Sequence, residues 1–191
     1  MDNLYFIDTE TGGLKPYSNG LCSICIKKHD SNFERNLIFY PQKKVYDMGA
    51  FNVNGFDMKT LYNNGVSRDE LLKTINSMSE TGGKQGYLIF CGWNVGFDID
   101  FIANAYKEKS AKFPCPIVAY DLMEVAKKFI KKQDKRKKED TGVENYKLTT
   151  IYQSLFKDFN EELAHTATYD VLMTEKLYLK FVELGFIKLE K

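Results

Sequence analysis

Two acidic residues end the first apolar segment of the sequence, and their spacing is that of paired metal ligands. Residues 4–7 are apolar, and Asp8 and Glu10 follow them two positions apart. Residues i and i+2 of a β-strand point to the same face, so both carboxylates would project together from a strand end. Such carboxylates repel unless a cation lies between them, and oxygen ligands suit Mg²⁺ or Mn²⁺. A strand that runs into an exposed polar turn would explain the same residues.

Two later segments carry further acidic residues. Residues 94–101 read NVGFDIDF after a second apolar run, and residues 165–170 read HTATYD at the start of the last long helical pattern. Together with DTE at residues 8–10, they resemble the three exonuclease motifs of the DEDD superfamily, DxE, NxxFDxxF and HxAxxD. The order is that of the family, and the resemblance spans residues 4–179.

The third motif separates two branches of this superfamily. One branch has Tyr four residues before the last Asp, where this chain has Thr166, and the other has His five residues before it, where this chain has His165. The chain therefore resembles the His branch, DEDDh, which includes the proofreading subunit of DNA polymerase III and ribonuclease T. Tyr169 is adjacent to Asp170 and cannot take the Tyr role.

The resemblance implies five catalytic residues: Asp8, Glu10, Asp98, His165 and Asp170. In a two-metal mechanism, Asp8, Glu10 and Asp170 would hold the ion that activates water, while Asp8 and Asp98 would serve the second ion. The implied cofactor is two ions of Mg²⁺ or Mn²⁺. His165 is the implied general base, since a neutral imidazole accepts a proton near neutral pH.

The second motif contains two acids, and the sequence leaves a structural role open for the one we choose. Asp98 lies where a helix is predicted to begin, so its carboxylate could simply cap that helix. Asp100 competes with it as the metal ligand, but the family pattern places the ligand directly after Phe97. We therefore choose Asp98 and expect Asp100 on a solvated helix face.

Five further residues are candidates for contacts with the terminal nucleotide, again by resemblance: Thr11, Gly12, Leu14, Asn94 and Phe97. Thr11 and the backbone of Gly12 would meet the nucleotide, and Leu14 would wedge against its base. Turns would equally explain Gly12 and Asn94, and core packing would explain Leu14 and Phe97.

A run of basic residues follows the middle of the chain. Residues 127–138 contain eight Lys or Arg and a single acid, Asp134. The run is either a solvated face or a surface that follows the phosphates of a single strand. Its second half is Lys131, Lys132, Lys135, Arg136, Lys137 and Lys138.

The pattern of apolar residues predicts an α/β domain. Three strands in an antiparallel meander precede a strand–helix–strand–helix segment and two final helices, which predicts a mixed sheet flanked by helices. The resemblance implies a ribonuclease-H-like exonuclease fold with a mixed five-stranded sheet. Strands are expected at 4–8, 21–26, 33–40, 87–93 and 116–120. Helices are expected at 67–79, 98–109, 122–132, 147–156 and 167–184, and residues 41–65 are expected to be irregular.

Size and composition favour a single domain over residues 1–191, which the resemblance implies is a 3'→5' exonuclease domain. The chain is 43% hydrophobic and 14% aromatic, which argues against disorder, and its formal net charge of +1 gives no global basic signature. Cys22 and Cys25 lie in a predicted strand and are expected to be structural thiols. We expect a cytoplasmic protein from a bacterium or a phage-infected cell, with no signal peptide and no membrane-spanning run.

These features predict a divalent-metal 3'→5' exonuclease that releases nucleoside 5'-monophosphates from single-stranded nucleic acid. DNA is favoured over RNA as the substrate, in proofreading or repair, and a polymerase partner would be a separate chain. One alternative is an exoribonuclease of the same branch that trims RNA 3' ends or short oligoribonucleotides. Another is an inactive module that binds nucleic acid or docks on a polymerase.

Overall fold

A computed structural model describes residues 3–81, 86–137 and 145–188 of the chain, with residues 134–137 described by their backbone alone. The strands are β1 Leu4–Thr11, β2 Leu21–Lys28, β3 Glu34–Ile38, β4 Leu88–Gly92 and β5 Ile117–Asp121. The helices are α1 Met48–Asn54, α2 Met58–Asn64, α3 Asp69–Thr81, α4 Gly96–Glu108, α5 Leu122–Lys137, α6 Leu148–Leu155 and α7 Ala167–Glu183. A short 3₁₀ helix, Glu161–Leu163, precedes α7.

The five strands form one mixed sheet in the order β3-β2-β1-β4-β5. The first three strands are an antiparallel meander, and β4 and β5 run parallel to β1. The predicted mixed five-stranded sheet flanked by helices is therefore confirmed. The carboxyl ends of β1, β4 and β5 lie along one edge of the sheet, which is where functional groups of α/β proteins gather.

The central strand β1 is buried on both faces because its apolar residues alternate between two cores. Leu4 and Phe6 pack with α5, α6 and α7 on one face, and Tyr5 and Ile7 pack with α3 and α4 on the other. This double burial fixes the direction of every side chain of β1. The carboxylates that follow the apolar residues are thereby held at a defined place on the sheet edge.

The expectation that residues 41–65 are irregular is wrong, because this segment contains α1 and α2. Each helix has seven residues and starts at an Asp that caps it: Asp47 accepts a hydrogen bond from the Gly49 amide, and Asp57 accepts one from the Thr60 amide, each at 2.6 Å. Gly55 ends α1 in a left-handed conformation, with φ 69°. Helices this short bury few residues and show no apolar periodicity.

Other elements differ from their predicted bounds at the ends. Strand β1 continues to Thr11 and therefore includes both acidic residues, and α5 continues to Lys137, five residues beyond its predicted end at residue 132. Among the described residues, no helix is long and apolar enough to cross a bilayer. The four cysteines are free thiols, and three of them are buried, as expected of structural positions.

Candidate active site

Three carboxylates converge at the sheet edge where β1 ends. Asp8 and Glu10 project from β1, and Asp170 projects from the first turn of α7, which packs against that strand. One oxygen from each of the three lies within 4.8 Å of the others. Thr166 starts α7 by accepting a hydrogen bond from the Tyr169 amide, which sets where the first turn places Asp170. The structure thus brings together the three residues predicted to hold the water-activating ion.

Burial and mutual repulsion make this group costly without a cation. Burial raises the pKa of Glu10 to about 9, and the charges of Asp170 and Asp98 add to the effect. The pKa of Asp8 also lies well above its usual value, first because of burial and then because of the neighbouring carboxylates. Burial raises the pKa of Asp170 to about 7, although the His165 backbone amide opposes the shift.

One oxygen of this group has no partner within the described protein. Oδ1 of Asp170 is buried and makes no hydrogen bond, whereas buried polar atoms are normally paired. A hard divalent cation between the three carboxylates would give this oxygen a partner and relieve the repulsion. The residues present therefore fit Mg²⁺ or Mn²⁺.

Asp98 lies outside this group of three and is tied to β1. It is in the first turn of α4 with 3% of its surface exposed, and its Oδ1 accepts hydrogen bonds from the Thr9 amide (2.8 Å) and the Thr9 hydroxyl (2.6 Å). Burial raises the pKa of Asp98 to about 7, while the bonds from Thr9 oppose the shift. These bonds fix α4 against the strand that carries Asp8 and Glu10. Asp100, two residues later, is exposed as expected.

His165 lies in the turn directly before α7, and its side chain is exposed. Its backbone is left-handed, with φ 62°, a conformation that is uncommon outside Gly but that Asn, Asp and His adopt more often than other residues. The backbone amide of His165 lowers the pKa of Asp170, so this turn adjoins the carboxylates. The catalytic role of the His165 imidazole remains a prediction.

An open cleft of about 760 Å³ begins at Glu10 and extends between the β1–β2 loop and α1. Three of the predicted nucleotide contacts line it, namely Thr11, Leu14 and Phe97. Leu14 is 83% exposed, so core packing does not explain it. Phe97 also packs against Phe101, with ring centroids 5.0 Å apart. The volume of the cleft is sufficient for a nucleotide next to Glu10.

The other two predicted contacts have clear roles in turns. The Gly12 amide donates to the Gly20 carbonyl at 2.7 Å, and the Gly12 carbonyl accepts from the Asp47 amide at 2.8 Å. Asn94 has a left-handed backbone, with φ 59°, and its amide donates to the Asp121 carboxylate at 3.0 Å. Contacts of Gly12 and Asn94 with a nucleotide remain predictions.

Two residues of the site are missing from the sequence-based interpretation. Thr9 holds Asp98, as described above, and Asn54 at the end of α1 supports Glu10. The Asn54 side-chain amide donates to the Thr11 carbonyl at 3.0 Å, its oxygen accepts from the Phe56 amide at 3.2 Å, and its hydrogen bond to Glu10 lowers that pKa. The position of Thr9 between the two acidic residues could have indicated that it belongs to the site. No sequence feature could have indicated the role of Asn54, because its helix was not predicted.

The chain is similar in structure to E. coli exonuclease I. The zinc-bound complex of that protein with single-stranded DNA matches with a TM-score of 0.73 and 17% identity over 95% of this chain and 40% of the other. The complex of E. coli exonuclease I with a dT13 oligonucleotide matches with a TM-score of 0.73 and 16% identity, over 93% of this chain and 40% of the other. A product-bound structure of exonuclease I matches with a TM-score of 0.72 and 15% identity, over 94% of this chain and 43% of the other.

This chain therefore spans less than half of the length of those exonuclease I chains. No protein-family model and no curated protein matches it. At these identities the likeness shows the fold alone. The chain has the ribonuclease-H-like fold found in exonuclease I.

Proposed function

We propose that this protein is a divalent-metal 3'→5' exonuclease that hydrolyses the terminal phosphodiester of single-stranded DNA. The convergence of Asp8, Glu10 and Asp170, with Glu10 lining an open cleft, carries the proposal. The fold shared with exonuclease I, whose structures include complexes with single-stranded oligonucleotides, supports it. The His at position 165 favours the DEDDh branch over the Tyr branch.

The reaction would use the residues in separate roles. Two ions of Mg²⁺ or Mn²⁺, held by Asp8, Glu10, Asp98 and Asp170, would supply activation of water and stabilisation of the leaving oxygen. His165 would take a proton from the attacking water, whose oxygen forms the new bond to phosphorus. The bond to the 3'-oxygen of the preceding nucleotide breaks, and a nucleoside 5'-monophosphate leaves. Thr9 would hold Asp98 in place through its two hydrogen bonds.

The substrate class is the less constrained part of the proposal. DNA is favoured because the exonuclease I structures contain DNA oligonucleotides. RNA is the second candidate, since the same carboxylates would serve a ribose backbone and the 2'-hydroxyl would be the distinguishing group. An inactive binding module is disfavoured by the buried, unpaired Asp170 oxygen, which a module without a cation would leave unsatisfied. No observation favours the separate polymerase chain.

The decisive experiment is degradation of matched DNA and RNA oligonucleotides labelled at the 3' or the 5' end. We expect stepwise shortening from the 3' end with Mg²⁺ or Mn²⁺, none in excess chelator, and faster reaction on single strands than on blunt duplexes. Asp98→Asn should abolish the reaction, and Asp100→Asn is the matched control, because Asp100 is exposed two residues away. Turnover in chelator, or cutting of closed single-stranded circles, would contradict the proposal.

A further inference from the structure

The β1–β2 loop presents an aromatic side chain that the proposed chemistry leaves without a role. Tyr17 is 74% exposed, although its apolar ring would ordinarily be covered. Lys15 and Ser18, which flank Pro16 and Tyr17 in the loop, line the cleft. Tyr17 therefore lies beside the cleft, although it is not one of the residues that line it.

Positive charge accompanies this ring. The Lys107 ammonium on α4 lies 5.1 Å from the centre of the Tyr17 ring. Within the described part of the chain, neither Lys107 nor Lys15 forms an ion pair, while Lys44 and Lys109 beside them are each paired with an acid. A flat ring with an adjacent unpaired cation suits an aromatic, anionic ligand.

The loop that carries Tyr17 is firmly attached to the domain. The half-buried Lys44 ammonium donates to the carbonyls of Pro16 (2.9 Å) and Tyr17 (3.2 Å). The same ammonium forms an ion pair with Glu108 at 2.6 Å, and Glu108 accepts a further hydrogen bond from Asn104 at 2.7 Å. The backbone at Tyr17 is thereby fixed to α4. Binding of a ligand to the ring therefore costs little conformational entropy of the loop.

We infer that Tyr17 and Lys107 form a stacking platform for a base of the same strand that lies 5' of the terminal nucleotide in the cleft. Aromatic side chains beside basic residues are the usual way to hold unpaired bases without regard to sequence. Lys15 and Ser18 connect Tyr17 to the cleft along the loop, and we place the path of the strand beyond its terminal nucleotide there. This inference rests on the proposed exonuclease function and names the surface that would bind the rest of the substrate.

The test is an abasic scan of binding in chelator, where no cleavage occurs. Fluorescence anisotropy would measure the affinity for 5'-labelled dT12 and for variants that lack one base at each of positions two to six from the 3' end. For the natural protein, removal of the base at one of these positions should weaken binding about tenfold, which is the size expected for loss of one stacked base. Tyr17→Ala should bind dT12 about tenfold more weakly than the natural protein does, and its affinity should not change further when the base at that position is removed. Tyr17→Trp should still bind the abasic variant more weakly than dT12.

Tyr62→Ala is the matched control, because Tyr62 on α2 is also exposed, at 53%, but packs against Tyr40 and does not line the cleft. The platform is wrong if no position depends on Tyr17, or if Tyr62→Ala has the same effect. The two proposals fail separately. Tyr17-dependent binding without cleavage in Mg²⁺ or Mn²⁺ would overturn the exonuclease alone. Cleavage with no Tyr17 dependence would overturn the platform alone.

Discussion

At the scale of residues, the buried carboxylates should make the metal-free protein less stable as pH rises. Their pKa values in the unfolded chain are near 4, whereas in the folded protein that of Asp170 is about 7 and that of Glu10 about 9. The folded state therefore holds more protons, so stability is highest at low pH and is lost as pH rises through these values. We expect the Tm in chelator to fall between pH 5 and 9, measured by scanning fluorimetry.

Added Mn²⁺ should raise the Tm, and more at pH 8 than at pH 6, because protons compete with the ion for the carboxylates. Asp8→Asn removes one of the repelling charges, so it should raise the Tm in chelator at pH 8 and reduce the response to Mn²⁺. Asp100→Asn should change neither quantity, since Asp100 is exposed. A Tm in chelator that does not fall with pH would contradict this account of the cluster.

The proposed general base can be tested with a substitution chosen for its backbone. His165 has a left-handed φ of 62°, which Asn tolerates better than Ala, so His165→Asn removes the imidazole with little strain. We expect kcat to fall by roughly 10²–10⁴-fold, with substrate binding and the Mn²⁺-dependent rise in Tm retained. Near-normal kcat from pH 6 to 9 would exclude His165 from the mechanism.

Asn54 should act as a positioning residue for Glu10. Its amide bonds to the Thr11 carbonyl and to Glu10, so Asn54→Ala should leave Glu10 less well oriented. Residues that support metal ligands in this way typically contribute 10–100-fold to metal affinity, so we expect a loss of roughly that size in a Mn²⁺ titration. Asn52→Ala is the control, since Asn52 is exposed on the same helix. An equal loss in both variants would mean general damage to α1.

At the scale of elements, the turn at Gly12 joins the end of β1 to the segment that leads into α1. A Cβ on Gly12 would lie 3.0 Å from Cα of Tyr46 and 3.1 Å from the Val45 carbonyl oxygen, and these are backbone atoms that cannot rotate away. Gly12→Ala should therefore lower the free energy of unfolding by about 1–3 kcal/mol, as overpacking usually does.

Urea unfolding would measure this change. Gly96→Ala is the control, because a Cβ at Gly96 meets no atom within 4 Å at the start of α4. If Gly12→Ala is as stable as the natural protein but binds oligonucleotides more weakly, Gly12 acts through the substrate and its packing role is minor.

The sequence predicted the elements that have a strong apolar pattern and missed those that depend on caps. The double burial of β1 and the long stripes of α3 and α7 are visible as patterns, and with the three motifs they indicated the sheet and the edge where the carboxylates meet. Helix α1 contributes one wall of the cleft and the Asn54 support, yet it buries only Phe51 and Asn54. Capping hydrogen bonds and a contact with β1 stabilise such a short helix, rather than a long apolar face. Its sequence therefore has no apolar periodicity from which the helix could be predicted.

At the scale of the whole molecule, the second half of the basic run, from Lys131 onward, lies far from the carboxylates. Lys132 contacts the ring of Phe186, 4.8 Å from its centroid, just beyond the end of α7. Asp170 is in the first turn of α7, and the helix ends at Glu183, which places the two roughly 20 Å apart at about 1.5 Å per residue. Lys138 lies outside the described residues, as do the side chains of residues 134–137. Only a strand several nucleotides long could touch both the second half of the run and the site.

This distance gives the basic run a test that depends on substrate length. If its residues bind phosphates, affinity for long single strands should fall with salt, with a log–log slope of roughly −0.7 per contacted phosphate. Replacing Lys131, Lys132, Lys135, Arg136, Lys137 and Lys138 with Gln should flatten that slope and weaken long strands. Cleavage of di- and trinucleotides should not change, because they cannot reach these six residues. An unchanged slope and affinity for long strands would mean that the run is a solvated face.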